Sequence, residues 1–411
     1  MRILTITNFY PPGGFGGYEQ WCQEVAHGLI NRGHDLLVLT STYRRTGSPE
    51  IDPSWVCREL HLEMEFGLLR NAFHFFTARK RRENENLTRL KKLIQEFTPN
   101  AVLIWGMWNY SRSLPALAEK LMPGRVAYYM GDYWPTLPSQ FENYWNAPPR
   151  NFLTGFPKLL LKPIAQRMLA REERPELRME QVMFPSRFLQ HEFERKGIII
   201  KNPKIVYGAI DTKPYLDVRT SSQKHDKISL LYIGRLSYDK GVHTAIEAVG
   251  QMVWKHGVKN LKLTVIGDGD PEYVTGLHEL VERRNINSYV EFRPAQPKEN
   301  LPALYRQFDI LLFTSIWAEP FGRVIVEAMA SGVVVVGTAV GGASEILANN
   351  ENALVFTPAD PEGLVRQLKR LIESPNMRER LAEAGYRSAV DKFDIHRMTL
   401  EIESYLKTLV N

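Results

Sequence analysis

Cysteine is nearly absent. Cys22 and Cys57 are the two in 411 residues, too few for a disulfide framework and too far apart for a CxxC pair. A reducing compartment is the expectation. No apolar run is long enough to span a bilayer, and the opening "MRILTITNFYPP" reads as a β-branched strand, not a secretory leader. A cytoplasmic location follows as an expectation. No DNA- or RNA-binding motif occurs, and the basic residues are scattered, so the net charge of +6 is no nucleic-acid footprint. It suits an anionic ligand or an anionic membrane surface. Short-period repeats and low-complexity tracts are missing too. What remains is a globular composition, 44% hydrophobic and 24% charged, on a chain too long for one ordinary core.

Strand-like and helix-like pieces alternate throughout. "RILTITNFY" reads as a strand, "GGYEQWCQEVAHGLINRG" as a helix closed by Gly33, and "HDLLVLTSTY", "AVLIWG", "RVAYYMG" and "QVMFPS" as further strands. The second half repeats the scheme with "ISLLYIGRL", "LKLTVIGDG", "YVEFR", "ILLFTS" and "VVVVGT". Apolar strands separated by amphipathic helices predict parallel sheets covered on both faces. The fold class is therefore α/β, with two doubly wound, Rossmann-like domains. The first domain is expected over 1–205, with the final helix 394–411 free to join either domain, and the second over 206–393. The polar "TSSQKHDK" is the expected linker.

Glycine-rich turns follow several strands. "YPPGGFGGYEQ" sits where a dinucleotide enzyme places its phosphate loop, but a GxGxxG read from Gly14 fails at Glu19. The next strand also lacks the acid that would hold a ribose. Two readings of Gly16 and Gly17 stand: a tight strand–helix turn, or backbone N–H groups approaching an anion. In "IGRLSYDKG", Gly234 ends a strand and Arg235 and Lys240 follow, so that either two solvated cations or a diphosphate site is expected. "VIGDGD" places Gly267 at another strand end. "TSIWAEPFGRVIVEAMASG" carries Glu319 before a helix and Glu327 on it, in otherwise apolar surroundings. Carboxylates accept hydrogen bonds from paired hydroxyls, as ribose and sugars offer. The other reading is a pair of helix-dipole carboxylates. Pro320 is expected to open that helix, and "VGGASEI" to lead into another.

As a set, "EPFGRVIVEAMASG" with its E-x7-E spacing, "GRLSYDKG", "GDG", "VGGASEI" and "PPGGFGGYE" resembles the retaining GT-B glycosyltransferases of family 4 (group 1 type). The resemblance implies a hexosyltransferase working on a nucleotide-sugar, first of all a UDP-sugar such as UDP-glucose. A saccharide or lipid-linked saccharide would be the acceptor, in polysaccharide or glycoconjugate synthesis. Arg235 and Lys240 would hold the diphosphate, and Glu327 the ribose. Glu319 would sit by the donor sugar with the backbone of Phe321 and Gly322, and Gly16, Gly17, Gly234 and Gly267 would lie near the donor. No metal ion or other cofactor is expected, and nucleic acid is not an expected partner.

One departure stands out. Where relatives carry a His-Asp pair, this chain reads "YYMGDYWP", with Gly131 in the histidine's place and Asp132 kept. Asp132 is a candidate for binding the acceptor or donor sugar, or else a turn residue. Trp105, Trp108, Tyr110, Tyr133 and Trp134 follow two predicted strands and either line an acceptor site or fill core. "FHFFTARKRRENENLTRLKKLI" and "FPKLLLKPIAQRMLARE" are basic and apolar together, which suits packed surface helices or peripheral membrane contact. The alternatives to transfer are a nucleotide-sugar-binding protein without activity, which Gly131 encourages, and a GT-B epimerase.

Overall fold

In a computed structural model of the protein, residues 1–13, 16–44, 51–65, 71–148, 152–216 and 227–410 are described, with backbone alone at 152–154. Gly14 and nearly all of the expected linker lie outside them. Contacts divide the chain into two units: Met1–Pro185, Gln190–Val206 and Thr399–Asn411 in the first, Ser186–Leu189 and Tyr207–Met398 in the second.

The first unit's sheet holds β1 (Arg2–Ile6), β2 (Asp35–Ser41), β3 (Val56–Leu60), β4 (Ala101–Ile104), β5 (Val126–Tyr129), β6 (Gln181–Phe184) and β7 (Asn202–Ile205). Their order is β3-β2-β1-β4-β5-β6-β7, all parallel. The second unit's sheet holds β8 (Ile228–Ile233), β9 (Leu261–Ile266), β10 (Val290–Arg293), β11 (Ile310–Phe313), β12 (Val334–Thr338) and β13 (Leu354–Phe356). Its order is β10-β9-β8-β11-β12-β13, again parallel. In each sheet the chain reverses direction beside the first strand, between β1 and β4 and between β8 and β11. Ligands of doubly wound sheets bind outside the carboxyl ends of the strands at such points.

Helices of the first half are α1 (Gly17–Asn31), α2 (Asn71–Thr77), α3 (Arg79–Phe97), α4 (Ser113–Leu121), α5 (Gln140–Asn146), α6 (Phe152–Ala170) and α7 (Arg187–Arg195). Those that follow are α8 (Lys213–Leu216), α9 (Val242–Trp254), α10 (Pro271–Arg283), α11 (Leu301–Tyr305), α12 (Arg323–Ala330), α13 (Pro361–Glu373), α14 (Pro375–Lys392) and α15 (Ile395–Thr408). α1 shows why these segments are helical. Its buried Trp21, Cys22, Val25, Ala26 and Leu29 recur every three to four residues, and Gly33 at φ +82° ends it in the left-handed conformation. The strands β4 and β5 are buried at every position, as two-sided coverage requires.

Some expectations fail for local reasons. Strand β3 escaped the pattern because Cys57, Arg58 and Glu59 leave it half-exposed at the sheet edge. Pro320 does not open a helix, since α12 starts at Arg323 behind Gly322 at φ +139°. "GGASE" makes a short 3₁₀ turn, Gly341–Glu345, not an α-helix. From Thr399 onward α15 belongs to the first unit. There Glu403 takes hydrogen bonds from Arg32 (2.7 Å) and pairs with His34 (2.9 Å). Gly28 leaves room for Thr399, whose side chain a Cβ would meet at 2.8 Å. Ser186–Leu189 counts with the second unit because Ser186 Oγ donates to Pro320 O, and the N–H groups of Arg187 and Phe188 donate to Glu345.

A satellite core of Phe75, Phe141, Trp145 and Ala165 joins α2, α5 and α6, with Phe76, Leu161 and Leu169 packed around it. Burying each large side chain there is worth about 1.5–3 kcal/mol and ties the three helices to one another.

Candidate functional site

In the second unit, glycines bring four strand ends together. The segment after β8 runs beside the one after β9: Gly234 N–H donates to Ile266 O and Leu236 N–H to Asp268 O. A Cβ on Gly267, at φ +148°, would stand 1.9 Å from Gly234 O, so no other residue fits. The same segment is tied to the one after β11. Thr314 Oγ1 donates to Lys240 O at 2.9 Å and Ile316 N–H to Asp239 O at 2.8 Å. Beyond β12, Gly342 N–H donates to Glu319 O at 2.7 Å.

These ties set the charged groups. Lys240 ends a 3₁₀ turn (Tyr238–Lys240) directly before α9, and its Nζ lies 2.8 Å from Glu319 Oε1 and 5.3 Å from the Trp317 ring centre. Both partners of that ion pair are 17% exposed, so the pair is reachable yet poorly screened. Arg235 extends into solvent, 66% exposed, with Asp239 at 3.8 Å. Glu327 is 5% exposed, accepts a 2.9 Å hydrogen bond from Tyr305 Oη, and has Arg323 Nε at 3.9 Å. Burial, reinforced by the Glu327 charge, pushes the Tyr305 phenol well up and keeps it a donor. Phe321 is buried and Gly322 caps α12. The structure thus gathers Gly234, Arg235, Lys240, Gly267, Glu319, Phe321, Gly322 and Glu327 in one unit at the ends of β8, β9 and β11. Sequence reasoning missed Tyr305, Thr314 and Trp317, whose roles arise from contacts across strands and leave no spacing signal.

The first unit carries the remaining candidates. Gly16 caps α1 in extended backbone and Gly17 begins it. The carboxylate of Glu19 is 9% exposed and accepts from the N–H groups of Gly16 and of Glu19 itself. An anion reaching Gly16 therefore competes with a carboxylate already in place. Asp132 follows β5 and accepts from Trp134 N–H at 3.2 Å, as a turn aspartate does. Burial, with a smaller contribution from the Glu19 charge, raises its carboxyl to about 7.

Gly131 has a physical explanation. A Cβ there would lie 2.4 Å from Tyr18 Cδ2, and one on Gly106 would lie 2.9 Å from Tyr18 Cε1. The Tyr18 ring fills the space a larger side chain would need, and its hydroxyl donates to Tyr129 O. Of the flagged aromatics, Trp105 is core, 4.8 Å from the Tyr129 ring, and Tyr110 and Trp134 are buried, while Trp108 and Tyr133 keep partial exposure. Among the described residues no cluster of three or more His, Cys, Asp or Glu side chains could hold a metal ion.

The family model described as glycosyl transferases group 1 matches residues 217–388, and the one described as glycosyltransferase family 4 matches 15–214. An uncharacterized glycosyltransferase of Methanocaldococcus jannaschii is 28% identical over 189 residues, 46% of this chain and 47% of the relative. The N-acetyl-alpha-D-glucosaminyl L-malate synthase of Bacillus anthracis is 29% identical over 210 residues, 50% of this chain and 53% of the relative. The chain thus matches about half the length of these curated relatives. The crystal structure of Anabaena Alr3699/HepE in complex with UDP and glucose is similar in fold, with a TM-score of 0.68, 20% identity and coverage of 99% of each chain. Matched in its two halves by two models of one group, the chain belongs to the group 1, family 4 glycosyltransferases and has their GT-B fold of two Rossmann-like domains.

Proposed function

We propose that this protein transfers a sugar from a nucleotide-sugar, first of all a UDP-sugar, to a saccharide or lipid-linked saccharide, retaining anomeric configuration and needing no metal ion. The observation that carries the reading is the Lys240–Glu319 pair, held by Gly241 and Thr314 at the switch point of a parallel sheet. A cation fixed directly before a helix N-terminus is suited to a diphosphate. The presence of UDP and glucose in the Anabaena relative supports the choice of donor.

In this reading Lys240 and Arg235 hold the diphosphate and offset the charge that grows on it as the bond to the sugar breaks. The glycine backbone at Gly234 and Gly267 allows close approach. Glu319, released from Lys240 by the incoming phosphate, accepts from donor-sugar hydroxyls beside the backbone of Phe321 and Gly322. Glu327, steadied by Tyr305, accepts from the ribose. Gly16 and Gly17 are the first unit's candidates for the donor, and Asp132 for a sugar. The bond from the anomeric carbon to the phosphate oxygen breaks and one to the acceptor oxygen forms on the same face. The acceptor proton passes to the departing phosphate. Catalysis is then electrostatic and positional.

Thermal stability against UDP, GDP, ADP and NAD, with and without EDTA, tests this. A ligand at about 100 times its dissociation constant adds roughly 2.7 kcal/mol to the native state. Stabilisation by one nucleoside diphosphate, unchanged by EDTA, is expected. A response to NAD alone, or to none of the four, would sink the reading.

Peripheral membrane contact belongs to the same proposal. No helix among the described residues is long and apolar enough to cross a membrane. On α6, however, Phe156, Leu159, Leu160 and Ile164 are exposed by 53–65%, and the exposed Arg167 and Arg171 follow without an acid between 152 and 171. An apolar face beside basic residues suits an anionic bilayer surface. Co-sedimentation with anionic vesicles at low salt is expected, and Leu160→Glu should weaken it.

A further inference from the structure

The ion pair of Lys240 and Glu319 has a neighbour to which the transfer reading gives no task. Trp317 stands two residues before Glu319 and keeps 41% of its surface exposed, so it does not serve to fill core. Its ring lies under the Lys240 ammonium, with Nζ 5.3 Å from the ring centre.

Both residues are pinned through their backbones. The N–H groups of Ile316 and Trp317 donate to Asp239 O at 2.8 and 3.1 Å, and Ser315 Oγ donates to Trp317 O at 3.1 Å. Thr314 Oγ1 ties the same two segments together at Lys240 O. Gly241 permits the approach, since a Cβ there would stand 2.1 Å from Thr314 O. The indole and the ammonium are thus carried on segments bonded to each other, so their meeting is built into the backbone.

Lys240 therefore has two holders of different kinds. Glu319 holds the ammonium at 2.8 Å by cancelling its charge, and an anion that uses Lys240 has to displace that carboxylate. Trp317 presents the negative face of a π-system, which attracts a cation through its quadrupole and carries no net charge. An incoming diphosphate has no anion to displace there. A lysine side chain also loses rotamer freedom when a ligand fixes it, and a partner that fixes it beforehand lowers that cost.

We propose that Trp317 is a positioning residue: it keeps the Lys240 ammonium over its ring with the charge uncancelled, so that a nucleoside diphosphate can take the place of the Glu319 carboxylate. The inference rests on the transferase reading above and deepens it.

The test measures binding of UDP, GDP and ADP to the full chain by titration calorimetry, in the wild type and in variants. Trp317→Leu keeps apolar bulk and removes the π face. It should weaken the diphosphate that the wild type binds by about fivefold, and Trp317→Phe, which keeps a weaker π face, by about twofold. In a Lys240→Met background Trp317→Leu should cost no further affinity, because the ring then has no cation to hold. The melting temperature without ligand checks that each variant is folded, and Trp317→Phe carries the test should Trp317→Leu fail to fold. Unweakened binding in the Trp317 variants, or the same loss with and without Lys240, overturns the proposal, since a ring that touches the ligand itself would act without the lysine. Lysine-selective ¹³C labelling reads the contact without any ligand. One lysine signal shifted by the indole ring current is expected in the wild type, and it should vanish in both Trp317→Leu and Lys240→Met. A wild type that binds a diphosphate but lacks that signal faults the role of Trp317 alone. A wild type that binds none of the three faults the transferase reading and takes this inference with it.

Discussion

The two units share a sheet topology yet build their strand ends from opposite materials. In the second, the backbone does the work: Gly234, Gly241, Gly267 and Gly341 bring loops within hydrogen-bonding distance, and a few charged side chains are hung on that frame. In the first, bulky side chains do it. Tyr18 is wedged against Gly106 and Gly131, and a cavity is walled by arginines, glutamates and tryptophans. In the proposed reading the second unit meets a nucleotide diphosphate, whose anionic shape is the same whatever sugar it carries and suits a fixed backbone cradle. Side chains, in contrast, can be exchanged without disturbing a frame.

The comparison can be broken at its stiffest point. Gly267→Ala forces a Cβ against Gly234 O in a backbone conformation that L-residues avoid. A loss of about 4 kcal/mol is expected, with the nucleotide-dependent melting shift abolished. Chemical denaturation followed by tryptophan fluorescence would measure it. Next in size, Lys240→Ala should lower transfer about 10²–10³-fold, seen in kcat/KM, while the melting temperature without ligand moves little. Unchanged transfer would remove Lys240 from the site.

Gly131→His introduces the residue that the family resemblance places there and should cost about 2–3 kcal/mol, because its Cβ would lie 2.4 Å from the Tyr18 ring. Combining it with Tyr18→Ala should recover part of that cost. Additive losses in the double variant would show that the two positions are not coupled.

Electrostatics sharpens the contrast further. Glu403 is opposed by burial, but hydrogen bonds from Lys407, His34 and Arg32 prevail and hold its carboxyl at about 2. A folded value below the unfolded one gives stability that is complete above about pH 4.5 and lost as pH falls toward 2. Glu403→Gln should cost about 1–2 kcal/mol at pH 7, reduced by the exposure of Arg32 and Lys407, and should flatten the acid limb of the stability curve. Asp132 works the other way. Its folded value near 7 means that stability declines as pH rises from about 4 through 7, and Asp132→Asn should remove that decline. Arg235→Ala should change least. Its pair with Asp239 is exposed, so stability stays within about 0.5 kcal/mol, whereas nucleoside-diphosphate affinity drops about tenfold if Arg235 meets the phosphates.

Hydrophobic periodicity and turn glycines were enough to read two parallel α/β units, most of their strands, the glycine-flanked loops where Arg235, Lys240 and Glu319 stand, and the helix that carries Glu327. Those signals are local: a buried parallel strand must be apolar, and a backbone pressed against another must be glycine. Contacts between distant segments had no such trace. The 2.8 Å pairing of Lys240 with Glu319, the hold of Tyr305 on Glu327, the Tyr18 ring behind Gly131, and the return of the last helix to the first unit were decided by the tertiary structure. Whether a charge is matched depends on which neighbour the fold brings to it, and sequence order does not fix that.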